Sequence, residues 1–202
     1  MQPAEKGYHY LPIREGPEIR ASYEVVDAMK RFAAWIWILL LLLLAAVSFG
    51  LPFLDRYAAD ACTRQGRALV NDKAYPQAIA TFNRAIEIDP KYAPAYHGRG
   101  VAHLNQGENA PAISDFNEAV RLDPNDARAL YHRGVAYFRT GDLDRALMDF
   151  TEAIRLSPGS ANGYLARSKV YAKKGDEARA KADRQKAAEL DPALEKAGAG
   201  NP

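Results

Sequence analysis

The sequence predicts an all-α protein: a solenoid of four 34-residue helix-turn-helix repeats, preceded by one transmembrane helix. Three observations carry this. Pro90, Pro124, Pro158 and Pro192 recur at one constant interval, each behind an Asp or Ser that closes an apolar helical run. In step with them recur a small residue at Gly66, Gly100, Gly134 and Ser168, and alanines at Ala78, Ala112, Ala146 and Ala180 and at Ala85, Ala119, Ala153 and Ala187. Between Arg31 and Asp55 there is no charged side chain, and the stretch from Phe32 to Leu54 includes six consecutive leucines. The organisation that follows is a tail over 1–31, a membrane span over 32–54, repeats at 59–92, 93–126, 127–160 and 161–194, and a flexible tail over 195–202.

Composition sets outer bounds. With 48% apolar and 26% charged residues the chain reads as ordinary folded protein. Its net charge of +2 is too small, and too dispersed, to mark a nucleic-acid surface. The single cysteine, Cys62, has no internal disulfide partner and falls at a packing position, where a thiol behaves as a small apolar group.

The segment 1–31 balances five basic against five acidic side chains, and Pro3, Pro12 and Pro17 interrupt any apolar pattern. It reads as a mobile tail. A short helix over Glu18–Arg31 is allowed, with Ile19, Tyr23 and Val26 on one face. Phe32 to Leu54 then spans about 34 Å as a helix, enough to cross a hydrocarbon core of roughly 30 Å. Trp35 and Trp37 at one end and Phe53 and Tyr57 at the other match the aromatic belts of membrane spans. Ala46 and Ser48 offer a cleavage site of the signal-peptide kind, but the long tail without net positive charge argues for an uncleaved anchor. Lys30 and Arg31 before the span, against Arg56 after it, favour a cytoplasmic tail and extracytoplasmic repeats. Pro52 is expected to prevent one continuous helix from the span into the repeats.

Within each repeat two helices are expected. In the third, Ala129–Thr140 forms the first; Gly141 ends it in the left-handed conformation and Asp142 caps the second, which stops before Pro158. Gly107 and Gly175 repeat that role, whereas the first copy has Lys73 there. In the last copy Arg184 stands where the others place Phe82, Phe116 and Phe150, so its second helix is the polar cap.

These features resemble the tetratricopeptide repeat (TPR) family. Its pattern of aromatic, Gly, aromatic, Ala, Phe and Pro is matched by Tyr96, Gly100, His103, Ala112, Phe116 and Pro124, and by Leu130, Gly134, Tyr137, Ala146, Phe150 and Pro158. The resemblance implies binding of a protein or extended peptide along a concave groove lined by the first helix of each repeat. Carried over by position, that groove comprises Arg67, His97, Val101, Leu104, Tyr131, Val135, Phe138, Arg139, Lys169 and Lys173, with Thr63, Val70 and Leu165 beside them. It is apolar in the middle and basic at its flanks. The family's clamp for chaperone tails uses Lys and Asn side chains, and this chain departs from it with Thr63 and Gly98 at two clamp positions.

Where the family pattern has Leu before the Gly, this chain has Arg99, Arg133 and Arg167, and sixteen residues later the same copies carry Asp115, Asp149 and Asp183. The first copy has neither, with Gln65 and Thr81 instead. Acid and base that appear and vanish together point to a structural ion pair between the two helices of a repeat.

No site chemistry competes with this reading. His9, His97, His103 and His132 lack metal-ligand spacing, no nucleophile sits beside a base in a recognisable context, and no Gly-rich loop follows a strand. The expectation is therefore no enzyme, no catalytic residue, no metal or cofactor, and no small-molecule substrate; nothing specifies an oligomeric state. The leading function is a membrane-anchored interaction module that recruits a partner polypeptide through the groove. The alternative is a structural subunit that assembles a membrane complex through its convex face or its span, with the groove empty.

Overall fold

A computed structural model describes the backbone of residues 17–193 and the side chains of residues 29–41, 44–45 and 53–193. Eight helices occur among the described residues: α1 (Pro17–Asn71), α2 (Tyr75–Ile88), α3 (Ala93–Gln106), α4 (Asn109–Leu122), α5 (Ala127–Thr140), α6 (Leu143–Leu156), α7 (Ala161–Lys173) and α8 (Glu177–Leu190). No strand is found among them. The chain divides into two units, Met1–Pro52 and Phe53–Pro202.

In the first unit the backbone is helical from Pro17, so the tail expected over 1–31 is helix in its second half; positions 1–16 lie outside the described residues, as does the C-terminal tail over 195–202. The described side chains from Met29 to Leu41 are all exposed, Trp35 at 64% and Leu41 at 63%. Among the described residues no helix is long and apolar enough to cross a membrane. The side chains of residues 42–43 and 46–52, inside the apolar run, are not among those described. One expectation is corrected here: the helix does not break at Pro52, because α1 continues to Asn71. A proline removes one intrahelical hydrogen bond, and its fixed φ is itself helical, so it weakens a long helix without having to end it.

The second unit is the repeat array. The end of α1 and α2, then α3 and α4, α5 and α6, and α7 and α8 form its four helix pairs. Three phenylalanines set its spacing. Phe82, Phe116 and Phe150 are almost fully buried, and each presses on the backbone of the glycine in its own repeat. A Cβ on Gly66, Gly100 or Gly134 would lie 2.7, 2.8 or 2.8 Å from the ring edge, closer than carbon atoms tolerate. In the fourth repeat the ring is absent and the small residue is Ser168, whose hydroxyl donates to the Leu165 carbonyl at 2.8 Å. Phe82 also meets Gly98 of the next repeat, where a Cβ would collide with the same ring. The rings are thus pins between neighbouring repeats as well as within them.

Sharp turns follow the first helices. Gly107, Gly141 and Gly175 take φ of 83°, 85° and 80°, and Lys73 occupies the same position at φ 58° with a side chain that disfavours it. Asp126, Asp142 and Asp176 cap the helices that follow them by accepting from Arg128, Arg145 and Arg179 backbone N–H groups at 2.9, 3.2 and 3.0 Å. With these turns, the backbones of α3 and α5, and of α5 and α7, approach closely, whereas among the described residues those of α4 and α6, and of α6 and α8, stay farther apart. Helices that crowd on one side and spread on the other make a curved array, with α3, α5 and α7 on the inside of the curve.

A candidate peptide groove and the arginine ties behind it

The inner face is held by a repeated side-chain tie. In α3, Arg99 donates from Nε and Nη2 to both carboxylate oxygens of Asp115 on α4, at 2.9 and 2.6 Å. Its remaining Nη1 donates to Asn83 of the preceding repeat, on α2, at 2.6 Å. Arg133 does the same between Asp149 at 2.8 and 2.7 Å and Asn117 at 3.0 Å. Arg167 joins Asp183 at 2.8 and 2.9 Å and reaches Thr151 at 3.4 Å. Each guanidinium therefore links three helices from two repeats, using the planar fork that lysine lacks. The bonds to the carboxylates hold the Arg99, Arg133 and Arg167 protons more tightly than usual, against the cost of burial. Asp115, Asp149 and Asp183 are only 5%, 6% and 7% exposed, so they depend on these partners. Asn83, Asn117 and Thr151 are additions that the structure makes to the sequence reading. Their common offset, sixteen residues ahead of each arginine, was the available signal.

The structure separates the proposed groove residues into two groups. Leu104 is 4% exposed and packs with Ala112, Phe116 and Ala136 in the core, and His97 is 9% exposed. Both belong to the groove expected from the sequence, and in the folded chain both are buried among neighbouring side chains. They sit where successive first helices touch, so the neighbouring repeat covers them. Arg139 is exposed but committed, donating at 2.5 Å to the Leu104 carbonyl, which also accepts from the Gly107 backbone N–H at 3.2 Å. Val101 and Val135 are half-buried against the core. Arg67 is exposed on α1.

Open surface remains between α5 and α7. A depression of about 270 Å³ is lined by Tyr131, Val135, Phe138, Phe150, Asn162, Leu165, Ala166 and Lys169. Lys173, one turn beyond Lys169, places its ammonium 5.1 Å from the centre of the Phe138 ring. A second depression, of about 290 Å³, shares Tyr131 and Asn162 with the first and continues past Arg128 and Ser160. The two meet at these shared residues in one trough, which runs from the inner face towards Ala153 of α6 and the loop residues Ser157 and Ser160.

His97 does other work. Its Nε2 lies 3.0 Å from His132 Nδ1, which is itself 2.8 Å from the Arg128 carbonyl. A carbonyl only accepts, so His132 carries its proton on Nδ1 and His97 Nε2 faces it as an acceptor. Phe116 stacks on His132 with ring centres 5.9 Å apart. Burial, and then the neighbouring His132, push His97 down to about 4; burial also lowers His132, opposed by its bond to the Arg128 carbonyl. Among the described residues no cluster of His, Cys, Asp and Glu could hold a metal ion.

Comparison with known proteins agrees with this architecture. Family models described as tetratricopeptide repeat match residues 97–161 and 161–194, and one described as TPR repeat matches residues 66–107. The crystal structure of MamA is similar at 25% identity and a TM-score of 0.62, covering 68% of this chain and 81% of that one. The Pseudomonas aeruginosa pilF structure is similar at 24% identity and a TM-score of 0.65, covering 68% of this chain and 63% of that one. The first TPR of Spaghetti (RPAP3), bound to the HSP90 peptide SRMEEVD, shares 23% identity at a TM-score of 0.58 over 59% of this chain and 95% of that one. The last two share the fold alone. No curated protein matches the chain.

Two expectations follow from the buried charges. Arg133→Ala strands Asp149 away from water and should cost about 3–5 kcal/mol of unfolding free energy in a urea titration; a midpoint equal to that of the unsubstituted chain would contradict the tie. His97 has the opposite polarity. Its folded value lies below its unfolded one near 6.5, so the unfolded chain takes up the proton first and stability falls as pH drops from 6.5 towards 4. Between pH 7.5 and 5 the loss from His97 should be about 2 kcal/mol, and His97→Gln should flatten that slope; an unchanged slope in the variant would contradict the assignment.

Proposed function

Given that the chain belongs to the tetratricopeptide repeat family across residues 66–194, we propose that it holds a partner polypeptide in its concave groove beside a membrane to which residues 32–54 anchor it. The observation that carries the groove is the trough between α5 and α7, apolar at Tyr131, Val135, Phe138 and Leu165 and rimmed by Lys169. Rigid helices present it ready-made, so an extended segment binds with little reorganisation of the receptor. The Spaghetti repeat with its HSP90 peptide illustrates that the fold accepts an extended ligand. Thr63 and Gly98 argue against chaperone tails as the ligand here.

The anchor rests on the uncharged run 32–54 and on the exposed Trp35, Trp37, Leu39, Leu41 and Leu44 side chains. Exposed apolar side chains of this kind are costly in water and favourable in lipid. Lys30 and Arg31 favour a cytoplasmic tail, with the repeats on the other side. Tethering then raises the local concentration of the partner at the bilayer, without any new contact.

Two measurements test the two halves. Alkaline carbonate washing should leave the full chain in the membrane pellet, and a lone cysteine at Gly200 in a Cys62→Ala background should react with an impermeant maleimide on intact cells. Release into the wash removes the anchor, and labelling only after lysis reverses the orientation. A complex isolated in mild detergent should lose its partner on Tyr131→Ala with Phe138→Ala; a complex unchanged by that pair would favour assembly through other surfaces.

A further inference from the structure

The charges of the second unit are divided between its two layers of helices. The sequences of α3, α5 and α7 contain no Asp or Glu, whereas α4, α6 and α8 each carry several acids among their basic residues. Most cations of the inner layer are already used. Arg99, Arg133 and Arg167 are tied to buried aspartates, Arg128 pairs with Asp126, and Arg139 bonds the Leu104 carbonyl. Two remain on these three helices. Lys169 is exposed and makes no ion pair, hydrogen bond or ring contact among the described residues, and Lys173 has only the Phe138 ring. They stand four residues apart on α7, where like charges repel and a carboxylate between them relieves the repulsion.

Both lysines border the same apolar depression. Lys169 lines it, and the Phe138 ring under the Lys173 ammonium forms part of its wall. Its volume of about 270 Å³ falls below the roughly 300–1,000 Å³ typical of sites for whole small molecules, which suits a single large side chain. The trough continues beyond it past Asn162 and Tyr131, so a chain can run through and need not end there.

We propose that this part of the groove recognises an internal, extended stretch of the partner in which one large apolar side chain fills the α5–α7 depression and an acidic side chain, within about three residues of it, sits between Lys169 and Lys173. The spacing follows from the strand rise of about 3.3 Å per residue set against the short reach from the depression to the two ammonium groups. The inference rests on the groove reading above and specifies the chemistry of its ligand.

The test is selection of displayed random dodecapeptides on the full chain in detergent micelles. Enriched sequences should share a large apolar residue with Asp or Glu within three positions, and should bind equally well with an amidated C terminus. Lys169→Glu with Lys173→Glu should weaken them by about tenfold or more and shift a fresh selection to Lys or Arg at that position. Enrichment without an acidic residue, dependence on a free terminal carboxylate, or indifference to the charge reversal would each overturn the proposal. Peptides that are lost on Tyr131→Ala with Phe138→Ala yet ignore the charge reversal would leave the groove standing and remove only its acidic subsite. Indifference to both pairs, or failure to select any peptide, would remove both readings.

Discussion

A phenylalanine ring pressed against glycine backbone is the contact from which the rest of the array takes its spacing. Phe82, Phe116 and Phe150 each sit where a Cβ on the facing glycine could not fit, and close packing of this kind tolerates little change in volume. Because Phe82 also rests on Gly98 of the next repeat and Phe116 stacks on His132, the same rings fix how one repeat meets the following one. A lone helix pair cannot bury its apolar face, so stability in such an array is a matter of neighbours.

The arginine ties work beside the rings. Each joins three helices through one guanidinium and places a nearly buried carboxylate on the second helix of its repeat. Such pairs add little net stability over an apolar contact of the same shape, but a displaced neighbour would leave a charge unpaired, so they favour one geometry of stacking. The first repeat, with Gln65 and Thr81, lacks the tie. Its Asp60 instead accepts from the Tyr92 hydroxyl at 2.6 Å, and burial, then this bond, push that phenol up to about 12. The consequence for function is indirect. By drawing acids to α4, α6 and α8 and fixing α3, α5 and α7 side by side, rings and ties leave an inner face that is apolar and basic.

Much of this was legible in the sequence because a repeat announces itself by period. The 34-residue spacing of prolines marks out the helix pairs, and Gly107, Gly141 and Gly175 mark their turns. What sequence position does not resolve is how deeply a residue sits once repeats stack. Leu104 and His97 occupy groove positions along the chain, but the following first helix covers them, so they serve the core. Asn83 and Asn117 belong to one repeat and bind the arginine of the next, a relation set by stacking. Pro52 reads as a break although α1 passes through it, because a proline's local cost does not by itself decide where a long helix stops.

The proposed partner lies along the inner face between α5 and α7. A photoreactive benzoylphenylalanine placed in the full chain at Leu165, on α7 in the trough, or at Met148, 71% exposed on α6, compares the two faces of the array directly. Illumination of intact cells should give a discrete adduct from Leu165 and none from Met148. An adduct from Met148 with none from Leu165 would place the partner on the convex face and contradict the account.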